Sequence, residues 1–434
     1  MTEETAAGRG SPEPTLFERL RAQYGPGIDP GVTLEPQGAD ATPADFASEV
    51  LSRLSSRPGA AARYLIQGEV ARGGQGAILR VWDEELRRHL AMKVTLGKVS
   101  RPDTGAPTSP VDARTVGRFL EEAQVTGQLD HPGIVPVHEL GLDSQGRVFF
   151  TMKLVKGEDL RAVFARVHAG EPGWTVTRAL SLLLKVCEAM SYAHAKRVIH
   201  RDLKPGNVMV GSYGEVYVMD WGLARVLDRK DDKDVRVAPQ AASLEGDVHS
   251  ELRERAASDP DSPLLTRDGD VLGTPAYMPP EQAAGQLERM GPPSDVYALG
   301  AMLYHLLTGH APYRTPAARV DNFAILRRVQ EGPPDSVSRL APDAPAELVA
   351  ICEKAMAREP TARYADMSTL AEDLRAYLER RVVEAYETGA VAELRKWVVR
   401  NKPLAGALAA GVLLLAGGLT TSLVFERLAT QKTN

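Results

Sequence analysis

Val198-Ile199-His200-Arg201-Asp202-Leu203-Lys204-Pro205-Gly206-Asn207 is the stretch whose reading decides the fold. Within it Asp202 brings a carboxylate, Lys204 an ammonium and Asn207 a carboxamide, between two apolar runs (Val198-Ile199 and Val208-Met209-Val210) that read as short strands able to hold the loop rigid. Those groups suit the transfer of a phosphoryl group: the carboxylate can accept the proton of an attacking hydroxyl, the ammonium can neutralise the moving charge, and the amide oxygen can bind Mg²⁺. Asp, Pro, Gly and Asn are also common turn residues, so a polar turn between strands is the competing reading. The rest of the chain has to discriminate.

The 434 residues are 43% hydrophobic, enough for one large two-lobed domain with appendages or for two to three domains. Net charge is −5 with mixed signs, which points away from general nucleic-acid binding. Two cysteines, Cys187 and Cys352, form neither a disulfide framework nor a metal quartet; both lie in apolar helical patterns and read as small core residues of a protein from a reducing compartment. No secretory h-region follows Met1.

Residues 1–60 are rich in Pro, Gly, Ala and Asp, with short amphipathic pieces at Thr15 to Tyr24 and Pro43 to Leu54, and read as a disordered or weakly helical leader. Order begins near Tyr64. A glycine-rich hairpin over Ala71 to Ile78 can bring backbone amides close to phosphate oxygens, although a plain β-turn explains it equally well. In the apolar strand Leu90 to Val94, Lys93 needs an anionic partner if buried. The helical pattern Arg114 to Leu129 offers Glu121 and Glu122, of which Glu122 is the expected partner and Glu121 a solvated charge. Strand character is expected over His131 to Val135 and again over Arg147 to Met152, with a hinge at Lys153 to Gly157 and helices dominating beyond. Leu180, Leu183, Leu184, Cys187, Met190 and Ala193 recur at helical spacing and lead into the opening loop. After it, a hairpin ends in Asp220-Trp221-Gly222, where the aspartate either turns toward a metal or merely caps a turn. A polar stretch, about 228–270, ends at Gly273-Thr274-Pro275-Ala276-Tyr277-Met278-Pro279-Pro280-Glu281, and an apolar helix starts at Ser294-Asp295 and closes at Gly309.

Taken together, from about Tyr64 to Arg380, these motifs resemble in order and spacing the catalytic domain of bacterial, eukaryotic-like (Hanks-type) serine/threonine protein kinases. The resemblance implies an α+β, two-lobed protein-kinase fold: a small β-rich N-lobe (about 61–152), a larger helical C-lobe (about 156–381) and an insertion (about 228–270) within a domain at 61–381. It implies ATP and Mg²⁺ or Mn²⁺ as cofactors and Ser/Thr hydroxyls of proteins as acceptors. Asp202 would be the base with Lys204 beside it; Asn207 and Asp220 would hold metal; Lys93, paired with Glu122, would hold the α and β phosphates. Ala71, Gly73 and Gly76 would cover the phosphates, Ile78, Ala91 and Met209 would sandwich the adenine, Met152 would be the gatekeeper, and backbone groups of Lys153 and Val155 would bind the base edge. By the same resemblance Arg201 would dock a phosphorylated residue of the activation segment, Glu281 would pair with Arg363, and Asp295 would brace the loop. Thr274 and Lys204 argue for hydroxyl acceptors of the Ser/Thr type, and Thr266, like Ser243, Ser258 and Ser262, is a candidate autophosphorylation site.

Three positions depart from the family pattern: Ala71 for the first glycine, Trp221 for the Phe of D-F-G and Pro279 for the Ala of A-P-E. None removes a charge that the chemistry needs. A silent kinase-like scaffold that binds nucleotide or partners is the alternative, and the complete set Lys93, Glu122, Asp202, Asn207 and Asp220 argues against it.

From Leu404 to Phe425 the chain carries no charge, long enough for a membrane-crossing helix, with a buried helix as the competing reading. Arg395, Lys396, Arg400 and Lys402 precede it in a basic segment at 382–403, and 426–434 form a short tail. The charge bias predicts a single-pass protein of the inner (plasma) membrane with its kinase domain cytoplasmic. Small residues such as Ala407 and Gly411 leave a homodimer open.

Overall fold

The computed structural model describes residues 54, 63–73, 76–95, 113–143, 147–227, 275–314 and 322–386, with positions 414 and 417. Strand alternation in the first third builds a sheet whose inner strands are buried on both faces, while one edge strand is exposed from Leu65 on. β1 (Tyr64–Gly73), β2 (Gly76–Asp83), β3 (Arg88–Val94), β4 (Val137–Leu142) and β5 (Val148–Lys153) pair antiparallel in the order β1-β2-β3-β5-β4. Ala77, Leu79, Val81, Leu90, Met92, Val94 and Phe149 form one buried cluster with Tyr64. The alternate residues Ala91, Val148, Phe150 and Met152 form another, covered by helix α1 (Ala113–Gln128). Period two in the strands thus puts Lys93 on the same side as Ala91, facing α1. On α1, Val116, Phe119, Leu120 and Ala123 recur at helical spacing and bury against that face.

Val125 and Leu129, at the far end of α1, belong instead to the core of the large lobe. That core joins α2 (Leu160–His168), α3 (Val176–Ala195), α5 (Pro292–Thr308), α8 (Ala346–Ala355) and α9 (Met367–Leu378), with the short helices α4 (Pro280–Ala283), α6 (Asn322–Glu331) and α7 (Val337–Leu340) around it. Cys187 and Cys352 are fully buried within it, as small core residues. Short strands line its upper edge: β6 (Gly157–Asp159) pairs with β8 (Val208–Gly211), which pairs with β9 (Val216–Val218), and β7 (Val198–Ile199) pairs with β10 (Arg225–Val226). At the lobe junction β6 approaches β8 so closely that a Cβ on Gly157 would lie 1.9 Å from the Val210 carbonyl oxygen, so only glycine fits.

Two expectations change. Over His131 to Val135 the chain makes a turn, not a strand: Pro132 and Pro136 have no N–H to offer a ladder, and the Gly133 N–H donates to His131 Nδ1 at 2.9 Å. Only Ile134 bridges to Val218; the strand starts at Val137. The large lobe also extends past 381. Buried Asp373 accepts the backbone N–H groups of Glu384 (2.7 Å) and Ala385 (3.0 Å) and the Tyr364 hydroxyl (2.7 Å), while Val383 is fully buried, so 382–386 belong to the domain. Among the described residues no helix is long and apolar enough to cross a membrane; apart from Leu414 and Gly417, the run 404–425 lies outside them.

One buried ion pair staples the large lobe. Arg363 and Glu281 meet at 2.7 and 2.8 Å, and the remaining N–H groups of the guanidinium donate to the carbonyls of Ala357, Pro293 and Arg358. All five donors are thereby satisfied, and Ser294 Oγ donates to the carboxylate at 2.8 Å. Removing one partner leaves a buried charge uncompensated, so Arg363→Ala is expected to lower stability by about 3–5 kcal/mol in urea denaturation, whereas the double apolar replacement Glu281→Leu/Arg363→Met costs much less.

Candidate active site

The loop 200–207 is held from below by one carboxylate. Asp295, in the first turn of α5 and almost fully buried, accepts the backbone N–H groups of His200 (2.9 Å) and Arg201 (3.0 Å) and the ring nitrogen Nε2 of His194 (2.8 Å). Burial pushes the Asp295 carboxyl up, but the His194 hydrogen bond, the electrostatics of the neighbouring His194 and His200 rings and the His200 N–H outweigh it and hold its pKa below the ordinary aspartate value. The bracket also holds strain: Arg201 has φ 67°, a left-handed conformation that costs a non-glycine residue about 1–3 kcal/mol.

His200 is a second brace. Its Nε2 lies 3.0 Å from the Met219 carbonyl oxygen, which can only accept, so Nε2 carries the hydrogen and Nδ1 accepts the Asp202 N–H at 3.3 Å. Met219 is pinned from the other side as well, its N–H donating to the Asn207 carbonyl at 2.8 Å. Asp220 follows directly, itself left-handed at φ 60°. Trp221 fills the place of the family phenylalanine by burying its ring against His200, with centroids 4.7 Å apart.

The expected trio comes together. Lys204 Nζ is 2.6 Å from Asp202 Oδ2, and the same oxygen accepts Asn207 Nδ2 at 3.0 Å while the Asp202 carbonyl accepts it at 2.8 Å. The amide nitrogen of Asn207 is thus engaged with Asp202, so that its Oδ1 could serve a metal and Asp202 Oδ1 could accept a hydroxyl proton. Across the cleft, Lys93 Nζ lies 2.6 and 2.8 Å from the two oxygens of Glu122 and 3.4 Å from Asp220 Oδ1. Burial disfavours the Lys93 ammonium, but the two carboxylates prevail and raise its pKa above the ordinary lysine value, so it stays charged. Asp220, its side chain 49% exposed to the cleft, has its carboxyl raised by desolvation and lowered more strongly by Lys93, His200 and Lys204, with a net pKa below normal. A hard divalent cation fits the donor set of Asp220 and Asn207 oxygens.

An apolar wall lies above this charge cluster. Ile78, Leu154 and Met219 pack, half-buried, on Ala91 and Met152. Met219 and Leu154 escaped the sequence reading, although their places next to Asp220 and in the hinge were signals that could have found them. Met209 sits half-buried on β8 opposite Tyr217, outside that cluster. In the hinge the Lys153 N–H is engaged by the Pro136 carbonyl at 3.2 Å, its side chain donates to the Tyr217 hydroxyl, and Val155 is half-buried. Ala71 pairs with Ile78 and Gly73 with Gly76 at the hairpin end, where a Cβ on Gly76 would lie 2.4 Å from the Val94 carbonyl oxygen. Gly74, Gln75, Thr266 and Thr274 lie outside the described residues.

The family model described as protein kinase domain matches residues 64–245 and 255–374. The chain belongs to the protein kinase family. Among curated proteins it is similar to serine/threonine-protein kinase pkn3 of Myxococcus xanthus (33% identical, covering 73% of this chain and 49% of that one). It is also similar to serine/threonine-protein kinase PknA of Mycobacterium tuberculosis (30%, covering 70% and 58%) and PknD of Protochlamydia amoebophila (29%, covering 73% and 30%). The chain thus spans between about a third and just under three fifths of the length of these relatives. The kinase motifs within the matched residues are the same ones that the geometry assembles around Asp202 and Lys93.

Asp295 gives a pH-dependent prediction. Its carboxyl has a lower pKa folded than unfolded, so its contribution is fully present above the ordinary aspartate range and is lost as pH falls through and below it. Asp295→Asn, which places an amide against backbone N–H donors, is expected to cost about 2 kcal/mol or more at neutral pH. In urea titrations over a pH series, the gap between wild type and variant should narrow toward acid.

Proposed function

We propose that the chain is an ATP-dependent serine/threonine protein kinase. The observation that carries the reading is the simultaneous placement of Lys93 on Glu122 and beside Asp220, with Asp202, Lys204 and Asn207 in one hydrogen-bonded loop below. Lys93 would hold the α and β phosphates of ATP; Asn207 and Asp220 would hold Mg²⁺ or Mn²⁺, which would neutralise phosphate charge. The acceptor Ser or Thr hydroxyl gives its proton to Asp202 as its oxygen bonds to the γ-phosphorus and the bond from that phosphorus to the bridging β–γ oxygen breaks. Lys204 stabilises the charge that gathers on the transferring group. The names of the three relatives support Ser/Thr acceptors.

The activation segment is proposed to autophosphorylate, with Thr266 and Thr274 among the acceptors and Arg201 as the dock. Support comes from the position of Arg201, which lines one cavity with Tyr277 and Met278 from the end of that segment. Anchoring by residues 404–425 in the inner membrane, with the kinase domain cytoplasmic, is the proposed setting; the charge-free run and the basic segment before it support it.

Asp202→Asn is expected to lower transfer of labelled phosphate from ATP by about 10²–10⁴-fold. Equal incorporation by the variant and the wild type would defeat the assignment. Mass spectrometry of active enzyme after incubation with Mg-ATP should find phosphate within 228–274; its absence there would remove the autophosphorylation reading alone.

A further inference from the structure

Beside the base, the floor of the cleft turns basic. Gly206 has no side chain, and Arg161, the second residue of α2, lies across it: a Cβ built on Gly206 would sit 3.2 Å from Arg161 Nε, 3.3 Å from Cζ and 3.5 Å from Nη2. The guanidinium is held from behind by Asp159 Oδ2, at 3.0 Å from Nε and 2.6 Å from Nη2. Asp159 is itself tied down, its Oδ1 capping α2 through the Ala162 N–H at 3.0 Å. The two partners face solvent unequally, the Arg161 side chain being 67% exposed and that of Asp159 20%. What a passing chain meets is the cation. Exposed pairs of this kind contribute about 0–1 kcal/mol, so the guanidinium can turn to a new anion at little cost.

The neighbouring cavity is mixed in charge, with Arg201 beside the carboxylates Asp202 and Asp295. Tyr277, whose hydroxyl lies 2.7 Å from His305 Nδ1, shares with Arg201, Asp202, Leu203 and Met278 the walls of one cavity. Burial raises the Tyr277 phenol, and the charges acting on it are those of Arg314 and Arg161. Burial lowers His305 to about 4, helped by His168, His310 and Arg314.

We propose that this groove selects acceptors that carry an anionic side chain close to the Ser or Thr hydroxyl, with Arg161 as the residue that reads it. The inference rests on the kinase reading and names its substrate class. Aspartate, glutamate and phosphoserine all present the oxygen pairs that a guanidinium fork binds, so acidic and previously phosphorylated chains share the chemistry.

The test is a peptide series offered to the full chain with Mg-ATP: one Ser/Thr acceptor flanked by neutral residues, by Asp and Glu, by Arg and Lys, or by phosphoserine. Acidic flanks are expected to raise kcat/KM over neutral ones by about tenfold, mainly through KM, and basic flanks to lower it. Phosphoserine exceeding Asp and Glu would assign the anion to earlier phosphorylation; the reverse order would assign it to carboxylates. Arg161→Glu should invert the preference, and Arg161→Lys should keep most of it. Equal rates for acidic and basic flanks overturn the proposal, as does Arg161→Ala slowing every peptide by the same factor, which would make the arginine a positioning residue of the loop. Absence of transfer to any peptide and to the chain itself would instead overturn the kinase reading beneath it.

Discussion

A single buried carboxylate sets the catalytic loop. Asp295 comes from a helix nearly a hundred residues downstream, yet it accepts two consecutive backbone N–H groups of the loop and a histidine of the helix that leads into it. Three donors aimed at two oxygens fix position and orientation together, which apolar contacts alone would leave looser. Only with that bracket in place can Arg201 keep a left-handed backbone, and that twist sets where Asp202 points. The large-lobe core thus organises the chemistry from beneath, through α5.

The other half of the site depends on α1. Lys93 is rigid on the central strand β3, so the pair exists only where α1 places Glu122. One face of that helix buries in the small lobe, while Val125 and Leu129 bury in the large one. Any rotation of the lobes is therefore felt by the helix that carries the glutamate. Asp220, 3.4 Å from Lys93 and reached from the loop through Met219, closes the circuit between the two halves.

The charged groups were legible in the sequence because each sits in a short motif of unusual composition; Glu122 rather than Glu121 was the expected partner of Lys93, and the structure pairs it there. The partners of Asp295 and Glu281 lie far off along the chain and were reachable only through family likeness. Apolar content misled at His131 to Val135, where Pro132 and the following Pro136 break the ladder on either side and the chain turns instead. The apolar wall was half-read: Ile78, Ala91 and Met152 were named and Met219 and Leu154 were not, since packing around a cleft leaves no periodic trace. Arg161 was invisible because its proximity to Gly206, in a loop formed 45 positions later, is a product of tertiary placement alone.

The clamp at Asp373 has a mechanical meaning. Its carboxylate grips the backbone at Glu384 and Ala385, and α9, which bears it, packs in the same core as α3. Traction from chain beyond Tyr386 would consequently be carried by the heavier half of the molecule, the half that owns the base. The small lobe hangs outside that load path.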